Sequence, residues 1–245
     1  MDTDVNAPRY GIGGRSTAGR VEWALFDEGL RRHMLVVYNY MGFGLVVTGL
    51  VAIVVGITPS LYVPIFSTPL KWVVILAPLP FAFLFAGRIR SMSATTAQAL
   101  FWIFCAVMGL SLASIFLVFT GTSIARTFFI AAAMFGATSL YGYTTRRDLS
   151  SIGSFLIMGL IGVVIASLVN LFIVSSALQL VVSVVGIIVF VGLAAWDTQS
   201  IKERYAENFP IETKQKLAVL GAFMLYLNLI NIFSLLLNFT GEREA

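Results

Sequence analysis

Charge is what this chain has least of. Only 11% of its 245 residues are Asp, Glu, Lys or Arg, where a soluble domain carries about 25%. With 58% of the residues hydrophobic, this scarcity excludes a water-soluble globule and marks an integral membrane protein. Cysteine is nearly absent too. Cys105 is the single thiol and lies inside an apolar run, so no internal disulfide can form and it reads as a small core residue. His33, the single histidine, sits beside Arg31 and Arg32. It reads as a membrane-boundary residue, and no His/Cys cluster remains to bind zinc or iron. No Ser–His or Cys–His pair is placed for nucleophilic attack and no two carboxylates share an apolar span, so neither an enzyme nor a bound cofactor is expected. The first 32 residues contain no apolar core of a cleavable signal peptide. Their glycine cluster, Gly11 to Gly14, lacks the lysine and preceding strand of a phosphate-binding loop. The net charge of +4 comes from short connections and builds no basic face interleaved with aromatics, which argues against a nucleic-acid partner.

Long apolar runs are what the chain has instead. About 20 such residues cross the ~30 Å hydrocarbon core of a bilayer, and seven candidates occur, at 34–57, 71–87, 98–119, 124–143, 153–174, 177–197 and 216–239. The pattern predicts an all-α polytopic membrane protein in contact with lipid. Pro78 and Pro80 remove two backbone donors from the second run, which should kink or start late. The fifth and sixth runs are parted only around Ser175-Ser176 and should form an antiparallel hairpin. Residues 1–20 read as a mobile polar tail. Val21 to Arg32 reads as a short amphipathic helix with Trp23, Leu25, Phe26 and Leu30 near one face. Residues 21–245 make one transmembrane domain. Of the 16 basic residues, only Lys71, Arg126 and Arg243 fall on one side of the seven spans. The positive-inside rule then puts the N-terminus in the cytoplasm and, after seven crossings, the C-terminus in the periplasm.

One acid touches the apolar runs. Asp197 closes the stretch from Val181 to Trp196, just before Lys202-Glu203-Arg204. A carboxylate in hydrocarbon costs roughly 2.5–3.5 kcal/mol on insertion scales, so it marks an ion path, a proton site or a paired charge. Burial and the negative end of its helix both disfavour a bare anion. Arg88 and Arg90 end the second span on the same side and are its candidate partners, unless Asp197 is solvated at the membrane edge. The last span adds Asn228 and Asn231, three residues apart and so on one helix face. Tyr226 and Gln199 are further candidates for this network, and Asn170 in the fifth span reads as a structural amide. In Tyr141-Gly-Tyr-Thr-Thr-Arg-Arg-Asp148, the two arginines compensate a helix end and Asp148 is placed to cap the next helix, near Ser150 and Ser151.

Three segments carry a family resemblance. They are Tyr141-Gly-Tyr-Thr-Thr-Arg-Arg-Asp-Leu-Ser-Ser-Ile-Gly-Ser-Phe-Leu, Ala194-Ala-Trp-Asp-Thr-Gln-Ser-Ile-Lys202 and Leu225-Tyr-Leu-Asn-Leu-Ile-Asn-Ile-Phe233. Together they resemble the bacterial branch of the Bax inhibitor-1 family. The segment from Asp27 to Met41 is similar to its alphaproteobacterial members, so the likeness runs from about residue 27 to the C-terminus. The resemblance implies an inner-membrane protein in which six helices surround a central last one, and a calcium leak gated by protons. It implies an acid ending the sixth helix, matched by Asp197, and a second acid in the last helix with which it shares a proton. It also implies an arginine latch ending the second helix, matched by Arg88, with Arg90 the alternative. At the second acid this chain has Asn228, which leaves one carboxylate fewer for a divalent cation. Asp197 alone is then the candidate metal ligand, for weak calcium only, since a tight site needs about 6–8 oxygens. A second reading comes from bacterial relatives that resemble modulators of a membrane-anchored ATP-dependent protease. Under it, the N-terminal tail is what a partner grasps.

Overall fold

The computed structural model describes residues 17–89 and 91–244, with side chains from Asp27 onward. The described residues form nine α-helices and one short 3₁₀ turn: α1 (Thr17–Ile57), α2 (Pro59–Phe66), α3 (Leu70–Leu76), α4 (Pro78–Arg88), α5 (Ala94–Leu112, tightening into 3₁₀ over Ala113–Leu117), α6 (Gly121–Thr144), α7 (Ser150–Ile173), α8 (Ser176–Glu203) and α9 (Ile211–Thr240). They make seven spans long and apolar enough to cross a membrane: Asp27–Ile57, Leu70–Arg88, Ala94–Leu117, Gly121–Thr144, Ser150–Ile173, Ser176–Glu203 and Ile211–Thr240. The chain is an all-α polytopic membrane protein.

Local chemistry explains where these helices start and stop. Thr58-Pro59 ends α1. Pro78 divides the second span into α3 and α4, the discontinuity its two prolines predict. Ser93, Thr120 and Ser175 cap the N-termini of α5, α6 and α8, each hydroxyl accepting a backbone N–H at 3.2–3.3 Å. Most of the expected tail, residues 1–20, lies outside the described residues. From Thr17 onward the backbone is already helical, and it runs unbroken through Val21 to Arg32 into the first span because no proline interrupts it. Between α7 and α8, Val174 takes the left-handed conformation at φ 52°. Asn170 holds this turn twice. Its carbonyl accepts the Val174 N–H at 2.9 Å, and its side-chain oxygen accepts the Ser175 N–H at 2.9 Å.

Among the described residues, α9 is the only span whose greater part is buried. α1, α5, α6 and α8 pack directly on it, and α4 reaches it through Phe85, whose ring lies 4.7 Å from that of Phe223. α7 stands further out, against α8. Small residues set the closest approaches. A Cβ on Gly142 would lie 2.1 Å from the Ala195 carbonyl oxygen, and one on Gly153 would meet the Trp196 ring at 2.3 Å. Larger residues there would force α6 and α7 away from α8.

Both ends of α9 are tied down. At one end Glu242 and Glu244 pair with the α5–α6 connection, through Thr120 N–H to Glu242 C=O at 3.0 Å and Glu244 N–H to Val118 C=O at 3.0 Å. Arg126 adds an ion pair to Glu242 at 2.9 Å. At the other end the α8–α9 connection folds back on α1. Tyr205 packs on the His33 ring at 5.1 Å between centroids and donates its hydroxyl to Glu207. Lys214 stands 3.5 Å from Glu207.

Candidate ion and proton site

Asp197 is not at a solvated membrane edge. It is only 5% exposed, in the last turns of α8, and faces α9. Asn228, 3% exposed, donates its Nδ2 to Asp197 Oδ2 at 2.7 Å. The other oxygen, Oδ1, is buried with no partner among the described residues. A buried acceptor left unmade costs about 1–3 kcal/mol, and more when it carries charge. Native structures rarely tolerate such an atom without a reason. On α8 and α9 the small residues Ala194, Ala195, Gly221 and Ala222 are also buried. Close helix packing is what removes water from the carboxylate.

The seam between α8 and α9 opens on the side of Asp197 nearest Lys202. A recess of about 10 Å³ lies about one turn away, lined by His33, Ser200, Arg204, Gly221 and Met224 among others. That is room for about one water. A broader recess of about 590 Å³, which shares Arg204 with the first, also carries Lys216 in its lining.

The sequence expectations divide on this geometry. Asp197 and Asn228 come together. Arg88 does not join them: its side chain is exposed and makes no ion pair with any described residue, so the latch is not closed here. Arg90 lies outside the described residues. Tyr226 is fully buried but turned toward α1 and α5, where its hydroxyl meets Thr48 Oγ1 at 2.6 Å and Thr48 donates to the Cys105 carbonyl at 2.9 Å. Gln199 braces the α6–α7 connection, accepting from Leu149 N–H and donating to the Arg147 carbonyl, both at 2.8 Å. Asn231 shares the Asn228 face but spends its Nδ2 on the Leu227 carbonyl at 2.8 Å. Asp148 does not occupy the cap of α7, which falls to Leu149 without a side-chain bond; one residue earlier, it accepts the Ser150 N–H at 2.8 Å and closes the turn that leads into the helix. That bond holds its carboxyl below the usual range.

One constellation has no advance signal in the sequence. Thr198 donates to the Ala194 carbonyl at 2.7 Å and must therefore accept from Ser139 at 2.8 Å, which in turn accepts from Tyr38 at 2.6 Å. This directed chain of hydroxyls crosses from α1 through α6 to α8, next to Asp197. Isolated Ser and Thr residues in apolar runs do not reveal which of them will meet.

Among the described residues no group of three or more His, Cys, Asp or Glu converges. Asp197 offers one charge and one free oxygen, too little for a tight divalent site.

The family model described as inhibitor of apoptosis-promoting Bax1 matches residues 30–245. An uncharacterized protein of Rickettsia prowazekii is 51% identical over 219 residues, which cover 89% of this chain and 93% of that one. The inner membrane protein YbhL of Escherichia coli K12 is 43% identical over 219 residues, covering 88% and 94%. A Caulobacter vibrioides protein is 42% identical over 228 residues, covering 89% and 91%. With a family model spanning most of its length and relatives alike along nearly their whole chains, this protein belongs to the Bax inhibitor-1 family.

Proposed function

We propose that this protein is a slow, proton-sensitive cation leak of a bacterial inner membrane, with Asp197 as its ion and proton site and calcium as the first ion to test. The observation that carries this reading is the unpartnered Oδ1 of Asp197, buried one turn from a water-sized recess on the α8–α9 seam. An acceptor in that position is completed either by a cation or by a proton. A cation arriving through the recess meets the one full charge of Asp197. A proton on the same carboxyl removes the charge that holds the cation, so occupancy and flux fall as the Asp197 side is acidified. The basic lining of the broader recess, Arg204 and Lys216, slows cation entry and suits a leak better than a fast channel. The inner-membrane location is supported by the name of the E. coli relative, and the cytoplasmic N-terminus by the basic bias of the loops.

Calcium flux into liposomes carrying the purified protein tests the reading. Wild type should exceed empty vesicles, with flux declining in acid, and Asp197→Asn should reduce flux to the vesicle background. Wild-type flux equal to that of empty vesicles at every pH rejects the leak. The protease-modulator reading makes a different demand: deletion of residues 1–20 abolishes co-purification with a membrane protease while sparing flux.

A further inference from the structure

The α8–α9 seam has a second opening, at the end of the bundle remote from Asp197. A recess of about 400 Å³ lies there between α7, α8 and α9. Its polar lining includes Ser167, Asn170, Gln179, Ser183 and Asn238 and contains no charged residue. Ser183 is 2% exposed, lines this recess, and has a hydroxyl that bonds to no other described residue. Gln179 donates to Asn238 at 3.4 Å, which leaves the Gln179 carbonyl oxygen uncommitted. A hydroxyl with no partner among the described residues, open to a recess beside amide groups, is costly to leave in hydrocarbon and is at rest in water.

The two openings share one line. Asn228, Asn231 and Asn238 stand three and seven residues apart on one face of α9. Gln179, Ser183, Gly186 and Asp197 follow a matching face of α8. Leu235 interrupts this polar line. It packs so closely over Gly186 that a Cβ there would lie 2.7 Å from Leu235 Cδ1.

We propose that the remote recess is a water-filled vestibule in which a partly hydrated cation exchanges water for the neutral oxygens of Ser183, Gln179 and Asn238, and that Leu235 seated on Gly186 is the apolar gate between it and Asp197. This deepens the leak reading and rests on it for the identity of the ligand as a cation. Neutral oxygens without a carboxylate hold a cation weakly, as passage requires. Leu235 over Gly186 is the layer nearest the recess, and the buried apolar side chains of Val189, Phe190 and Leu193 continue it toward Asp197, so closure depends on side-chain volume rather than on charge.

Cysteine accessibility reads the vestibule without reference to flux, because Cys105 is the only native thiol and is buried. In a Cys105→Ala background, Ser183→Cys should react with a membrane-impermeant, water-soluble thiol reagent added on the face that carries the C-terminus, while Phe190→Cys, beyond the gate, should not. If Ser183→Cys stays unlabelled while Glu244→Cys reacts, the recess is filled by lipid and the vestibule is refuted. In calcium-loaded liposomes, Leu235→Ala should raise flux about tenfold, since an apolar constriction gates by excluding water. Leu235→Val, a milder truncation, should raise it less and serves if the alanine variant does not fold. Labelling at Ser183→Cys with flux unchanged in both leucine variants refutes the gate. Absence of flux in wild type and in every variant rejects the leak itself, and labelling still decides the vestibule.

Discussion

Removing the Asn228 amide while keeping its bulk should damage the protein more than the loss of one hydrogen bond suggests. In Asn228→Leu the carboxylate of Asp197, 5% exposed, loses its one donor at 2.7 Å, and neither of its oxygens then has a partner. A hydrogen bond to a charged group contributes about 1.5–3 kcal/mol. Stranding a buried charge costs about 3–5 kcal/mol, because desolvation is no longer offset. The expected loss is therefore about 3–5 kcal/mol if the variant keeps its charge, and less if Asp197 takes up a proton to escape it. The double variant Asp197→Leu/Asn228→Leu removes both polar partners and should recover most of that loss, since apolar replacement of a buried pair is often near neutral.

Thermal or denaturant unfolding in detergent measures all four members of this cycle, and the coupling energy is the quantity to read. A value within about 0.5 kcal/mol of zero is what an exposed surface pair gives. Such a value would refute the claim that the packing of α8 on α9 excludes water from Asp197, whatever the fold. Flux separates stability from function. The double variant should be stable and silent, whereas Asn228→Leu should be unstable and retain the charged site.

Three further outcomes follow from the packing and the connections. Gly142→Ala places a methyl 2.1 Å from the Ala195 carbonyl oxygen and should lower stability by about 1–3 kcal/mol in the same melting assay, as overpacking does; an unchanged melt would mean α6 and α8 separate without cost. Val174→Gly relieves a left-handed β-branched residue at φ 52° and should stabilise the hairpin by about 1 kcal/mol, visible as slower proteolysis at the α7–α8 turn. In the α8–α9 connection, the Tyr205 hydroxyl first, and then Lys214, hold the Glu207 carboxyl below its ordinary value of 4.5, while burial and Glu207 push the Tyr205 hydroxyl up to about 12. A depressed carboxyl stabilises the fold above its unfolded value and loses that contribution as pH falls through the folded one. Melting against pH should thus show an acid-side decline that sets in as pH falls through the ordinary glutamate value of 4.5 and continues below it, and Glu207→Gln should flatten it.

Helix number, the proline break and the α7–α8 hairpin were legible in the sequence because each rests on local chemistry. Apolar length fixes a span, Pro78 removes a donor, and Ser175 supplies a cap. Asp197 was legible for the same reason, as an acid where solvation is scarce. Its partner was harder to read. Arg88 has the right side of the membrane and the right charge, yet α4 presents it to the surface. Asn228 makes the contact because α9 is central and α8 packs along it. Tyr226 lies only two residues from Asn228, and that spacing turns it about 200° around the helix, away from Asp197 and toward Thr48. Gln199, two residues past Asp197, is turned away by the same rotation and braces Leu149. Sequence proximity suggested one network, and helical geometry divides it into three.

The pairing of Asp197 with an amide rather than a second acid changes what the site can regulate. Two carboxylates at this separation would resist joint ionisation and share a proton, giving a switch with two macroscopic steps. An Asp–Asn pair has one titrating member, so its response to acid spreads over a single ordinary titration and its charge never exceeds minus one. The amide also donates to Oδ2 in either protonation state, so the α8–α9 seam keeps its geometry when the proton arrives. Acid should therefore change how strongly a cation is held without first moving the helices. Under the proposed leak, any steeper control falls to another part of the seam, and the close contact of Leu235 with Gly186 is the place where side-chain volume alone would exert it.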